Sequence, residues 1–148
     1  MRIALGADHA GVDLKNQLKQ LVTDRGDVCE DFGTDDGQSV DYPDFAARVA
    51  REVSASRFDR GILVCGSGLG MAIAANKVPG IRAVTVTDAE SARLARAHND
   101  ANVLALGARI TSLGDARGLV TIFLETAFSG GRHQRRLDKL AALEQTLR

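Results

Sequence analysis

Apolar residues along this chain follow two rhythms. Short, nearly continuous runs occur at Ile3–Ala7, Val28–Phe32, Gly61–Cys65, Arg82–Thr87 and Val103–Gly107, the pattern of strands covered on both faces. Between them the period lengthens. Val12–Asp24 places Leu14, Leu18, Leu21 and Val22 on one face, and Asp44–Ser54 does the same with Phe45, Val49 and Val53, so both segments predict amphipathic helices. Thr87–Glu90 (TDAE) reads as a capping box opening a helix through Ala97, and Ser112–Asp115 (SLGD) opens another. A last helix is predicted from about His133 to Leu147, with Leu137, Leu140, Leu143 and Leu147 as its apolar stripe.

Strands alternating with helices and ending in two helices predict an α/β fold. The expected form is a five-stranded parallel sheet with right-handed crossovers and helices on both faces, a three-layer α/β/α sandwich. Ligands of such sheets bind beyond the carboxyl ends of the strands. The one long irregular stretch, Gly33–Asp44, follows the second strand and belongs to that edge.

A chain of 148 residues is expected to form one domain, 1–148, with a proper core. Its formal net charge of zero supplies no global field to recruit nucleic acid or an anionic membrane. No apolar run is long enough for a membrane span, and Asp8 and His9 interrupt any signal-peptide core, so a cytoplasmic location is expected. Cys29 and Cys65 form neither a disulfide framework nor a zinc-ligand spacing.

Chemistry collects around the strand ends. Asp8 and His9 follow the first strand, and the loop carrying Tyr42 follows the second. Cys65 ends the third strand and leads into Gly66-Ser67-Gly68-Leu69-Gly70. His98-Asn99-Asp100 ends the helix after the fourth strand, and Arg109 follows the fifth. All of these are expected on one edge of the sheet, as an active site requires. A lone His, Tyr or Arg in a loop is more often solvated or capping than catalytic.

The glycines need separate weighing. Amides freed of β-carbons at a helix start form an anion site. Their spacing is G-x-G-x-G, with Met71 after Gly70, and they follow the third strand. A dinucleotide fingerprint is G-x-G-x-x-G after the first, so Asp88 is not read as a ribose-binding acid. No P-loop or nucleophile elbow is present either. Cys65 precedes this loop, and a thiol at a helix N-terminus is easier to ionise. Position alone leaves it open whether Cys65 is activated or a small core residue, whereas Cys29, in mid-strand, reads as core. In Gly130–Arg136 (GGRHQRR), Arg132 and Arg136 share a helix face with His133 beside them. They suit a small anionic group such as phosphate.

The motifs GADHAG, GT followed by DYP, ILVCGSGLG, AIAANKVPGIRA, HNDANVLALGAR and GGRHQRR run nearly end to end. Together they resemble the ribose-5-phosphate isomerase B family, which includes allose-6-phosphate and galactose-6-phosphate isomerases. The resemblance implies a Rossmann-like sandwich and a homodimer or homotetramer, with a C-terminal helix in oligomer contacts and active sites across the subunit boundary. It implies metal-free aldose–ketose isomerisation of a sugar phosphate through an enediolate, with no cofactor. By position, Cys65 corresponds to the base that moves a proton between C2 and C1, and His98 to the group that opens the furanose ring. Asp8 and Ser67 correspond to groups handling hydroxyl protons, and the amides of Gly66, Ser67, Gly68, Leu69 and Gly70, with Asn99, to donors for the enediolate. His9, Arg109, Arg132 and Arg136 match the phosphate-binding set, His133 beside them is a further substrate-binding position, and Tyr42 corresponds to a wall of the sugar pocket. Part of the family carries serine for the cysteine and a glutamate base just past the glycine loop. Met71 occupies that place here, so the sequence falls in the cysteine branch. Ser67 stands where many members have threonine, and the hydroxyl is kept.

D-Ribose 5-phosphate to D-ribulose 5-phosphate, a pentose phosphate pathway step, is the default reaction implied. Tetrulose 4-phosphate, allose 6-phosphate and galactose 6-phosphate are the alternatives. A non-catalytic module binding a phosphorylated effector would explain the glycines and arginines, but not Cys65, His98 and Asp8 together.

Overall fold

The computed structural model describes residues 1–146, and Leu147, the last position of the predicted stripe, lies outside them. The elements run β1 (Arg2–Ala7), α1 (Val12–Asp24), β2 (Val28–Asp31), α2 (Tyr42–Ser54), β3 (Arg60–Cys65), α3 (Leu69–Ala75), β4 (Ala83–Thr85), α4 (Ala89–Ala97), β5 (Val103–Gly107), α5 (Leu113–Glu125) and α6 (Arg132–Thr146). All strand pairs are parallel, in the order β2-β1-β3-β5-β4.

Alternation along the central strands builds two cores. Ile3, Leu5, Ile62, Val64, Leu104 and Leu106 face α1, α4 and α5. Ala4, Leu63, Cys65, Val103 and Ala105 face α2 and α3, packing on Val49, Val53 and Met71. Successive side chains of a strand point to opposite faces, so near-continuous apolar runs are what a covered parallel sheet needs. No helix among the described residues is long and apolar enough to cross a membrane.

Several strand boundaries shift from the pattern reading by a residue or so, and three other differences stand out. Helix α2 begins at Tyr42, because Pro43 fits the first turn, where a missing N–H costs nothing. Helix α4 is capped by Asp88, not Thr87: the Asp88 carboxylate accepts from the Ser91 amide at 2.8 Å, displacing the expected box by one residue. Strand β4 is only Ala83–Thr85, and Arg82, just before it, turns its guanidinium onto the carbonyls of Asn99 and Asp100. Ser112 caps α5 as its motif predicts, accepting from the Asp115 amide.

The chain leaves β1 toward β2 on one side of the sheet, and leaves β3 toward β4 on the other. The carboxyl ends of β1 and β3 therefore diverge, opening the crevice in which doubly wound sheets bind ligands.

Candidate active site

Asp8 and Cys65 stand at that divergence. The Asp8 amide donates to the Val64 carbonyl at 3.1 Å, which locks the two strand ends together. Asp8 also caps the 3-10 turn His9–Gly11, its carboxylate accepting from the Ala10 amide at 2.9 Å. A β-carbon on Gly11 would sit 2.6 Å from the Val64 carbonyl oxygen, so only glycine lets this turn close onto β3.

Cys65 is buried on the α2–α3 face, with Met71 fully buried in the same cluster. Its Sγ accepts from the Gly68 amide at 3.1 Å, a bond that a thiolate accepts more strongly than a thiol. Gly68 holds φ at +79°, and a β-carbon there would lie 2.9 Å from Leu106 backbone. Both constraints require glycine for the loop to fold back over the thiol. Ser67 Oγ accepts from the Leu69 amide at 3.3 Å. Cys29 differs: half-buried on edge strand β2, its thiol is pushed up to about 11 by burial.

Asp8, Tyr42, Cys65, Gly66, Ser67, Gly70, Arg109 and Ile110 line one cleft of about 320 Å³. The Tyr42 ring lies over Gly70, 2.7 Å from where a β-carbon would stand. Arg109 is drawn in by its amide, which donates to the Gly66 carbonyl at 3.0 Å. At its edge, His9 Nδ1 accepts from the Val40 amide at 3.2 Å. An accepting Nδ1 leaves the proton of a neutral imidazole on Nε2, which becomes a donor.

The expectation that His98 and Asn99 share the edge of Cys65 is corrected here. Helices that follow parallel strands run back across the sheet, so the end of α4 reaches the amino edge. Asn102, just beyond it, accepts at its carbonyl from the Gly61 amide, where β3 begins. His98 and Asn99 thus lie toward the opposite end of the strands from Cys65, and β5 between those ends spans about 13 Å. They sit with a second group. The His98 and His133 rings stack with centroids 4.1 Å apart at 15°, and the Ser129 amide donates to the Ala97 carbonyl at 2.9 Å. Gly130 and Gly131, both left-handed, turn the chain into α6, which brings Arg132 and Arg136 to the same side, both exposed. The residues therefore form two clusters: Asp8, His9, Tyr42, Cys65–Gly70 and Arg109 at the carboxyl edge, and His98, Asn99, Arg132, His133 and Arg136 at the amino edge.

His133 is held below the usual imidazole range, first by burial, then by His98, Arg132 and Arg136. The unfolded chain therefore binds this proton more readily, and stability falls as pH drops through about 6.5. Thermal unfolding should show that fall, and His133→Gln should flatten it. Parallel curves for the two proteins would remove His133 from the effect.

Sequence reasoning missed two buried cations. Lys15, fully buried, reaches Asp31 Oδ2 at 2.7 Å and the Thr34 carbonyl at 2.9 Å, pinning the loop after β2 beside β1. A signal existed, since Lys15 falls in line with Leu18 and Val22 on the apolar stripe of α1. The other is Arg96, which lies between Ala92 and Asp100 on the buried side of α4.

The profile of a family described as Ribose/Galactose Isomerase matches residues 3–140. The chain is 44% identical to the ribose-5-phosphate isomerase B of Escherichia coli (strain K12), over 97% of each protein. It is 39% identical to a D-erythrulose-4-phosphate isomerase of Pectobacterium atrosepticum, over 97% of this chain and 95% of that one. The solved structure of Clostridium thermocellum ribose-5-phosphate isomerase B matches with a TM-score of 0.99 at 47% identity, covering 100% of both chains.

Proposed function

Since the chain belongs to the ribose/galactose isomerase family, we propose that it is a sugar-phosphate aldose–ketose isomerase that interconverts D-ribose 5-phosphate and D-ribulose 5-phosphate. One observation carries the chemistry: a buried thiol, a carboxylate, a hydroxyl and a glycine loop converge in a single cleft at the sheet's divergence point.

Isomerisation moves one proton from C2 to C1 and one from O2 to O1. Cys65, as thiolate, takes the C2 proton and returns it to C1, leaving a cis-enediolate between the two transfers. Asp8 and Ser67 handle the hydroxyl protons. The loop amides from Gly66 to Gly70, fixed before the reaction begins, stabilise the negative oxygens as charge develops. Tyr42 walls the sugar.

Ring opening must come first, and it needs an acid at the ring oxygen. His98 has that role but stands at the opposite edge of its own sheet, so the site is complete only with a second copy of the chain. The assembly is a homodimer, or a homotetramer made of two such dimers. Each site joins Asp8, His9, Cys65 and Arg109 of one protomer to His98, Asn99, Arg132, His133 and Arg136 of the other. Apolar side chains left in water support this. Leu69 and Ile73 of α3 are 59% and 62% exposed, and a groove of about 390 Å³ between edge strand β4 and α6 is lined by Ile81, Val84, Leu140 and Leu143. Unpaired strand edges and exposed apolar patches are surfaces that association covers.

A panel of four-, five- and six-carbon aldose phosphates, ranked by kcat/KM, tests the reading. The five-carbon substrate should rank first. A higher rank for a four- or six-carbon sugar would reassign the substrate, and no turnover on any would leave a phosphate-binding module.

A further inference from the structure

His98 and Asn99 sit on a surface turn, the first half-buried and the second exposed, and ring opening and oxyanion binding need fixed groups. The next residue shows how the turn is held. Asp100 has a left-handed backbone, φ +44°, which is uncommon outside glycine and needs support from its surroundings. Its carboxylate is gripped at both oxygens: Arg96 Nη1 reaches Oδ1 at 2.7 Å and Arg82 Nη2 reaches Oδ2 at 3.1 Å.

Both arginines also hold the backbone of the same turn. Arg82 Nε donates to the Asn99 carbonyl at 3.1 Å and to the Asp100 carbonyl at 3.0 Å. Arg96 Nη1 donates to the Ala101 carbonyl at 2.6 Å, and its Nε to Thr126 at 3.3 Å. Arg96 is 3% exposed and stacks over the Phe123 ring at 5.8 Å, so its anchor is the core itself. Arg82 is tied to the residue just before β5 through its amide, which donates to Asn102 Oδ1 at 2.8 Å. A buried cation and a strand-edge cation thus close on one carboxylate directly after the two residues that must reach into another protomer.

We propose that Asp100, clamped by Arg82 and Arg96, is a positioning residue that fixes His98 and Asn99 in the geometry for ring opening and enediolate binding. This rests on the isomerase reading given above. The carboxylate touches no substrate. It acts by holding the left-handed turn against two anchored guanidinium groups.

Two variants separate the carboxylate from the backbone. Asp100→Asn tolerates the left-handed turn but loses the charge, and Asp100→Gly adopts the turn freely with no side chain. Each should lower kcat on ribose 5-phosphate by about 10-fold or more, with KM changed by less than about 2-fold. A purely structural role would slow every reaction alike, so a second substrate form is needed. Ribulose 5-phosphate cannot close a furanose ring, because its O5 is esterified. Solvent deuterium exchange into its C1 therefore bypasses ring opening. Both variants should lose forward turnover at least about 3-fold more than this exchange. Equal losses on the two measures, or full activity in Asp100→Gly, would overturn the clamp. His98→Ala is the control for the underlying reading. If it keeps full forward turnover, ring opening by His98 falls and the clamp with it. If it loses turnover while both Asp100 variants keep theirs, the clamp alone falls.

Discussion

Cys65→Ala is expected to lower kcat by about 1,000-fold or more, the upper range for removing a proton-transfer group, while sugar-phosphate binding persists. The cleft offers no substitute base in the same place. Met71 sits fully buried beneath the glycine loop, and a thioether cannot take a proton. Asp8 is committed to its cap on the Ala10 amide. Binding should survive because alanine leaves the loop backbone and the arginines in place, and the bond lost at Sγ involves only the Gly68 amide. The measurement pairs steady-state turnover with calorimetric titration of ribulose 5-phosphate. Cys29→Ser is the matching control: a half-buried thiol pushed up to about 11 is a spectator, and its replacement should leave kcat unchanged. Full turnover in Cys65→Ala would remove the thiol from the mechanism, and lost binding would make it a structural residue.

The fold was legible because a covered parallel sheet writes itself as unbroken apolar runs, and the helices between as a longer period. Boundaries were less so where side chains overrode the local pattern, as at Asp88, which caps α4 by its own carboxylate. For the carboxyl-edge half of the site, strand order and the divergence rule sufficed, because each residue directly follows a strand. His98 was misplaced for a topological reason. A residue at the end of a crossover helix returns to the starting edge, and adjacency to a strand in sequence does not say which end it adjoins. Lys15 and Arg96 were passed over because a charged residue on an apolar stripe is ordinarily read as solvated. Here each carries its own counter-charge: Asp31, at the end of β2, for Lys15, and Asp100, four residues further along the chain, for Arg96.

The proposed division of the site across two edges makes the strongest demand on the assembly. If each site takes Cys65 from one protomer and His98 from the other, then Cys65→Ala and His98→Ala homodimers are both inactive, and for different reasons. A heterodimer of the two has one site lacking both groups and one site with both intact. Mixing equal amounts, dissociating and reassociating gives heterodimers as half of all dimers, so activity should return to about one quarter of the wild-type value, as two-fold symmetry dictates. The rise from near zero requires no new contact, only exchange of subunits, and should follow the exchange time measured by mass spectrometry of the mixed species. Were both groups drawn from one chain, the heterodimer would carry one thiol-deficient and one imidazole-deficient site. Mixing would then restore nothing, however complete the exchange.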